Sequence, residues 1–414
     1  MPASGAGPKR IAFLNIGMHG RVNPTLPIAA ELVRRGHTVS YHTSPAFSDE
    51  IAATGASPLV YAESDHPLPD PPVPITLLEG LAGTALRVLP TVLAELRDIR
   101  PDLIVHDSAC VWGAVAAREL GVPAVSSFTT FAFNRRVPSP TRASWRLLAE
   151  AATRPASLAG YLRSRGELSR RFDARGLPLF DLGNVRQALN LVYTSRAFQP
   201  HVESFDASYR FVGPSLGARP IDPSFAAERL TGPVMYASLG TVFNADPRLL
   251  RSFATALAPL GGTVVLATGQ TDPAALGPLP ANVLARRFVP QLEVLAHAAL
   301  FVTHGGMNSV NEAMDAGVPM LVIPQGAEQP MVARRVVELG AGLALHTQDA
   351  TEIAVRAAAR RLLDEPRFRE AAAVLQVAQR DAGGYLRGAS ELERYLAEVE
   401  SANPAGHLDP SPRS

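Results

Sequence analysis

Residues 286–329, RRFVPQLEVLAHAALFVTHGGMNSVNEAMDAGVPMLVIPQGAEQ, change hydrophobic period twice in quick succession. Residues 299–303 form a short apolar run ending in a polar turn, 308–316 carry a helical period closed by Gly317, and 320–324 are a second apolar run. Strand, helix and strand at that spacing predict a parallel crossover unit, and parallel sheets need helices on both faces. The connecting turn is His304-Gly305-Gly306-Met307-Asn308-Ser309. Two residues without side chains let the backbone approach a ligand, and the helix start behind them offers N–H groups and a positive dipole end, as a phosphate requires. Glu312 lies about one turn further in on the face of Asn308, where a carboxylate can accept from the vicinal hydroxyls of a ribose. Glu328-Gln329 follows the second strand, so both loops should border one crevice beyond the carboxyl ends of the sheet.

The same alternation runs through the chain. Residues 11–17 read as a buried strand, Asn23-Pro24 as the start of a helix ended by Gly36, and 38–43 as the next strand. Strand 103–106, helix 111–120 and strand 124–128 follow, then a helical stretch over 143–175 and strands 189–194 and 209–213. Residues 63–74 are proline-rich and irregular, and 128–140 form an aromatic, partly basic loop suited to recognition. Periodicity fades over 214–233, which is expected to be a linker. A second alternation opens with strand 234–240, helix 249–260 and strands 263–268 and 283–288, and closes with helices 351–363, 366–381 and 385–400. The predicted organisation is α/β, with domains at 1–213 and 234–382, a terminal helix at 383–400, and disordered ends before residue 11 and over 401–414.

Composition narrows the function classes. Lys plus Arg number 39 against 38 Asp plus Glu, so no basic field recommends nucleic acid. Apolar residues come in strand-length and helix-length packets rather than a run near twenty, which argues against a membrane span. Cys110 is the only cysteine, so no intrachain disulfide forms, and a reducing cytoplasm is the simplest compartment. The number of subunits is open, a homodimer being one arrangement compatible with the chain.

His19 and Asp107 both stand just beyond strand ends and are expected to converge. A neutral imidazole can take a proton from an alcohol, and a carboxylate on its other nitrogen fixes the tautomer and stabilises the cation that forms. Ser238-Leu-Gly-Thr241 closes the first strand of the second domain with small residues suited to a diphosphate. His297 and His304 are seven apart with no carboxylate in ligand spacing, and no Asp-x-Asp pair is present, so nothing calls for a divalent metal. No G-x-S-x-G elbow supports a serine nucleophile, and no G-x-G-x-x-G follows the first strand as a dehydrogenase would require.

The block 286–329 resembles the nucleotide-sugar signature of family 1 glycosyltransferases, most closely the bacterial macrolide glycosyltransferase type, and the likeness covers nearly the whole chain. NIGMHGRVNP resembles the family's amino-terminal segment, in which this His, His19, is the catalytic base, and IVHDS resembles the segment carrying its partner, Asp107. Phe288-Val289-Pro290-Gln291 matches the segment holding the nucleobase, with Phe288 where many members have Trp. Thr241 corresponds to a phosphate or donor-sugar contact, Gln329 to the position holding sugar hydroxyls, and Glu328 replaces the Asp common there.

The resemblance implies a GT-B architecture, two Rossmann-like domains facing across a cleft, with the last helix returning to the first domain. It implies inverting transfer from a UDP- or dTDP-sugar to a hydroxyl of a hydrophobic macrolide, polyketide or phenolic acceptor, without metal. A nucleotide-sugar epimerase of the same fold and a non-catalytic nucleotide-sugar-binding homologue are the rival readings; the first would act on donor alone, and the retained His19 and Asp107 oppose the second. Sugar, base, acceptor, and a role in biosynthesis or self-resistance are not set by these residues.

Overall fold

A computed structural model of the chain describes residues 7–61, 73–139, 144–217, 222, 225, 230–240, 247–326 and 328–402. The chain divides into two compact units, one of Met1–Tyr193, His201–Gly217 and Gly383–Ser414, the other of Thr194–Pro200 and Ala218–Ala382.

The first unit runs β1 (Arg10–Leu14), α1 (His19–Val22), α2 (Leu26–Arg34), β2 (Thr38–Thr43), α3 (Ser48–Ala53), β3 (Ser57–Val60), α4 (Pro74–Ile99), β4 (Leu103–Asp107), α5 (Val111–Leu120), β5 (Ala124–Phe128), α6 (Ser144–Thr153), α7 (Pro155–Arg171), β6 (Leu189–Val192) and β7 (Tyr209–Phe211). Its sheet is parallel throughout in the order β3-β2-β1-β4-β5-β6-β7. Successive residues of β1 serve opposite layers: Ile11 and Phe13 join the core made with α2, while Ala12 and Leu14 join the core made with α4 and α5. Chain order reverses between β1 and β4, where Leu14 is in register with His106. Loops leaving two such strands diverge and open a crevice at their carboxyl ends.

The second unit runs β8 (Val234–Ser238), α8 (Pro247–Leu257), β9 (Thr263–Ala267), β10 (Val283–Arg286), α9 (Gln291–His297), β11 (Ala298–Thr303), α10 (Met307–Ala316), β12 (Met320–Val322), α11 (Gln329–Glu338), β13 (Gly342–Ala344), α12 (Glu352–Asp364) and α13 (Pro366–Asp381). Its parallel sheet is ordered β10-β9-β8-β11-β12-β13, so it too reverses beside its first strand, between β8 and β11. Ser238 is in register with Thr303, and Thr303 with Val322, which lines up three strand ends on one edge.

After the second unit the chain returns as α14 (Gly384–Ala402) to pack on α2. Ala389, Leu392 and Leu396 enter the same core as Ile28 and Leu32. The backbones are so close that a Cβ on Gly388 would lie 2.7 Å from Ile28 Cδ1. Glu393 receives Arg35 at 2.6 Å and lies 3.0 Å from His37 Nε2, and Glu391 receives Arg210 at 3.2 Å.

Several expectations are corrected. Asn23-Pro24 does not open a helix: Asn23 closes the short α1, and α2 starts after Thr25 with Pro27 in its first turn. The stretch 143–175 holds two helices, separated at Arg154 before the helix-initiating Pro155. No element was expected over 75–99, where α4 lies. Pro90 lies inside it on the exposed side, while Ile75, Leu78, Ala82, Ala85, Leu89 and Leu96 are fully buried at helical spacing. By length and composition α4 could cross a membrane, but its apolar stripe is covered by this unit's own core.

Segment Thr194–Pro200 was expected in the first domain and is structurally part of the second unit. Thr194 Oγ1 donates to Asn311 Oδ1 at 3.0 Å, Ser195 N to Gln379 Oε1 at 2.9 Å, and Arg335 to the carbonyls of Ala197 and Phe198. Residues 1–6 of the expected leader, most of the proline-rich stretch 63–74, parts of the linker, Thr241 and nearly all of the tail lie outside the described residues; the rest of the leader is not loose, since Arg10 opens β1 and Lys9 N donates to His37 Nδ1 at 3.1 Å.

Candidate active-site residues at the two sheet edges

In the first unit the loop after β1 is shaped by Asn15. Its buried amide donates to Thr25 Oγ1 at 2.9 Å and Tyr41 Oη at 2.5 Å, and Tyr41 also bonds Thr25. This knot folds residues 15–25 back over the strand ends, with Gly17 so close to Ser44 that a Cβ there would meet its hydroxyl. His19, first residue of α1, is exposed, and its ring stands edge-on to buried Phe47 at 4.9 Å.

Asp107 ends β4 fully buried. Its Oδ1 accepts from Ala109 N at 2.8 Å, which fixes the carboxylate at the strand's carboxyl end. The expected His19–Asp107 hydrogen bond is absent among the described residues. Arg21 takes that place instead, with Nη1 3.2 Å from Oδ1 and 3.0 Å from Oδ2. Residues two apart on a helix point to opposite sides, so α1 cannot present both Arg21 and His19 to one carboxylate. A permanent cation also satisfies a buried carboxylate better than a neutral imidazole does. Beside Asp107, burial pushes His106 down to about 4; its Nδ1 lies 2.9 Å from the Asp107 carbonyl and its Nε2 2.8 Å from Gln187 Nε2.

In the second unit the expected residues gather on one edge. Ser238 is buried, and its Oγ accepts from Gly240 N at 3.3 Å, turning the chain at the end of β8. Gly240 has φ +76°, and a Cβ there would lie 2.6 Å from His304 Cε1. A Cβ on Gly306 would lie 2.5 Å from His304 Nε2, so the imidazole is walled by two glycine backbones. Burial lowers His304 to about 4, and its buried Nδ1 has no partner among the described residues. His304 is therefore neutral near pH 7, a hydrogen-bonding group rather than a cation. Gly305, at φ +84°, approaches Val322 of the next strand, where a Cβ would lie 2.7 Å from Cγ1. Gly306 is the N-cap of α10 and contributes no side-chain cap. Asn308 and Ser309, half-buried, belong to the first turn of that helix.

Glu312 is buried and structurally engaged: its Oε2 accepts from Gln291 Nε2 at 2.5 Å. Gln291 also donates to Ser309 Oγ at 3.3 Å and accepts from Tyr236 Oη at 2.9 Å. The expected base-binding and ribose-binding stretches are thus tied to each other through side chains. Phe288 is 60% exposed beyond the end of β10 rather than closing a core strand, and Val289 is half-buried beside it. Glu328 is the half-buried N-cap of α11 and makes no side-chain cap. Buried Gln329 turns its Oε1 inward to accept from Gln325 N at 2.7 Å and Gly326 N at 3.2 Å, holding the loop after β12 in shape. Sequence reading missed Arg21 and Asn15, although both lie inside the quoted motif NIGMHGRVNP.

A family described as erythromycin biosynthesis protein CIII-like, C-terminal domain, matches residues 251–382. Over 393 residues the chain is 34% identical to the NDP-glycosyltransferase YjiC of Bacillus subtilis strain 168, covering 93% of this chain and 97% of that protein. Over 415 residues it is 34% identical to the oleandomycin glycosyltransferase of Streptomyces antibioticus, covering 96% and 94%. Among solved structures it is similar to the glycotransferase of kitacinnamycin, with a TM-score of 0.83 and 30% identity, covering 94% of this chain and 98% of that one.

Proposed function

This chain belongs to the family 1 glycosyltransferases of the bacterial macrolide type and is an enzyme that transfers glycosyl groups; on that premise we propose that it moves a sugar from a UDP- or dTDP-sugar to a hydroxyl of a hydrophobic natural product, with inversion. The observation that carries the donor half of this reading is the second unit's edge, where a neutral imidazole walled by glycines stands at the start of α10. There the diphosphate would be met by helix-start N–H groups and the His304 ring, the ribose by Glu312, and the base by the open face of Phe288. Ser238, Thr241, Asn308 and Ser309 would add short polar contacts, Val289 backbone contacts, and Glu328 and Gln329 the sugar side of the pocket.

In the step itself, His19 takes the proton of the acceptor hydroxyl, that oxygen bonds to the anomeric carbon, and the bond from that carbon to the diphosphate breaks. The nucleoside diphosphate leaves with the bonding electrons. Exposure of His19 suits contact with an incoming acceptor. Asp107 would support the resulting imidazolium once Arg21 releases it and α1 turns to bring His19 round. The reading needs no metal, and the cytoplasm is the compartment it assumes.

Mass spectrometry of products from a donor-by-acceptor panel, with and without chelator, tests this. Acceptor glycosides carrying the inverted anomer, formed equally with chelator, are expected. Interconversion of nucleotide sugars without acceptor would replace this reading with an epimerase, and loss of turnover with chelator would end the metal-free mechanism.

A further inference from the structure

The first unit carries an open cavity of about 830 Å³ whose walls include none of the candidate catalytic or donor-site residues, though they draw on the loop 128–140. They come from residues 134–136 after β5, from 176–186 ahead of β6, and from Ser204. Among the described residues of the wall, Arg135, Arg136 and Arg186 contribute three positive charges, against one carboxylate, Asp181.

That carboxylate is already used. Asp181 Oδ1 accepts from Ser139 Oγ, and Oδ2 accepts from Asn184 Nδ2 at 2.9 Å. The arginines are less committed. Arg135 is exposed and has no partner among the described residues. Among the described residues the Arg136 side chain pairs with Glu203 alone, at 3.5 Å, with both side chains largely exposed, a pairing worth little in water. Arg186 donates to the Phe133 carbonyl at 3.0 Å, which holds its guanidinium at the wall.

Two further features specify more than an anion. Asn184 is 4% exposed, its amide orientation is set by the bond to Asp181, and its buried Oδ1 has no donor among the described residues. A buried acceptor left unmet is costly, so a ligand group that reached it and donated a hydrogen bond would be favoured. Leu179 and Phe180, 54% and 37% exposed, form an apolar shelf. The shelf is anchored from behind, since Tyr161 bonds the Leu179 carbonyl and its ring packs 5.9 Å from that of Phe180.

We propose that this cavity binds an aromatic hydroxycarboxylate: the carboxylate on the arginines, the hydroxyl donating to Asn184 Oδ1, and the ring on Leu179 and Phe180. A bare phosphate would satisfy the arginines but leave the acceptor and the shelf unused. The site does not depend on the transfer reaction, because binding is read directly.

The test is titration of the full chain with salicylate, followed by its intrinsic fluorescence and by calorimetry. Saturable binding at one site is expected, weakened at least tenfold in the double variant Arg135→Ala/Arg136→Ala, whose side chains are exposed. Benzoate, without the hydroxyl, and benzyl alcohol, without the charge, should each bind several-fold more weakly. UDP should bind the double variant as it binds the parent. Absence of saturable binding at millimolar salicylate, equal binding by the folded double variant, equal affinity for benzoate, or displacement of salicylate by UDP would each overturn the assignment.

Discussion

The two sheet edges share a topology and differ in how their polar groups are satisfied. In both units strand order reverses beside the first strand, at β1/β4 and at β8/β11. At the first edge the buried carboxylate of Asp107 is met by Arg21, and the candidate base His19 stays exposed. At the second, side chains are removed rather than paired: Gly240, Gly305 and Gly306 clear the backbone around a neutral imidazole whose Nδ1 has no partner among the described residues. Topology supplies the crevice in both cases, and the few residues after each strand decide whether it holds charge or offers room.

The sharpest way to break this contrast is His19→Ala. Turnover should fall about 10²–10⁴-fold while nucleotide affinity stays within a few-fold, because only the base is lost. Steady-state kinetics beside calorimetric titration decide it, and near-parental turnover would remove His19 from the mechanism. Arg21→Ala comes next. It strips the partner from a carboxylate that is fully buried, so unfolding free energy should drop by about 3 kcal/mol, with Arg21→Lys intermediate. Denaturant melts of the three proteins give the answer, and an unchanged midpoint in Arg21→Ala would mean that the ion pair is not what holds Asp107.

On the second edge, Glu312→Gln keeps shape but removes the charge that Gln291 bonds to and that ribose hydroxyls would share. Nucleoside diphosphate affinity should weaken by roughly 1.5–2.5 kcal/mol. If calorimetry finds no change, Glu312 serves only to anchor Gln291. The smallest effect belongs to Phe288→Ala, about 0.5–1.5 kcal/mol in the same titration, because its open face offers stacking without enclosure. Phe288→Trp should restore or improve on the parental value; equal affinity for all three would show that no base stacks there.

How much of this was legible depends on whether the signal was local. The turn at His304 to Ser309 was readable because period, glycines and small polar residues coincide within a few positions. Helix α4 was not, since Gly80, Gly83 and Pro90 are breakers by local chemistry and only the buried stripe beneath them overrides that. Thr194–Pro200 follows a first-domain strand and fell within the domain expected over 1–213; its bonds to Asn311, Gln379 and Arg335 join residues far apart in the chain. Arg21 sat in plain view beside His19, but which of two basic residues reaches Asp107 depends on the turn of α1, and a motif does not encode that.

Helix α14 sets an order of events during synthesis. The core holding Ile11, Phe13 and Leu32 is also filled by Ala389, Leu392 and Leu396, so residues of β1 and α2 wait for those of α14, which are made much later. The second unit draws almost wholly on an unbroken run, Ala218–Ala382, and can close while the first is still missing a wall. Sealing that wall requires a contact between Ile28 and Gly388 across most of the chain, a search whose entropy grows only slowly with loop length but whose intermediate leaves apolar surface on α2 uncovered in the meantime. A nascent chain halted before residue 384 therefore leaves that face of α2 open to aggregation and to chaperone capture.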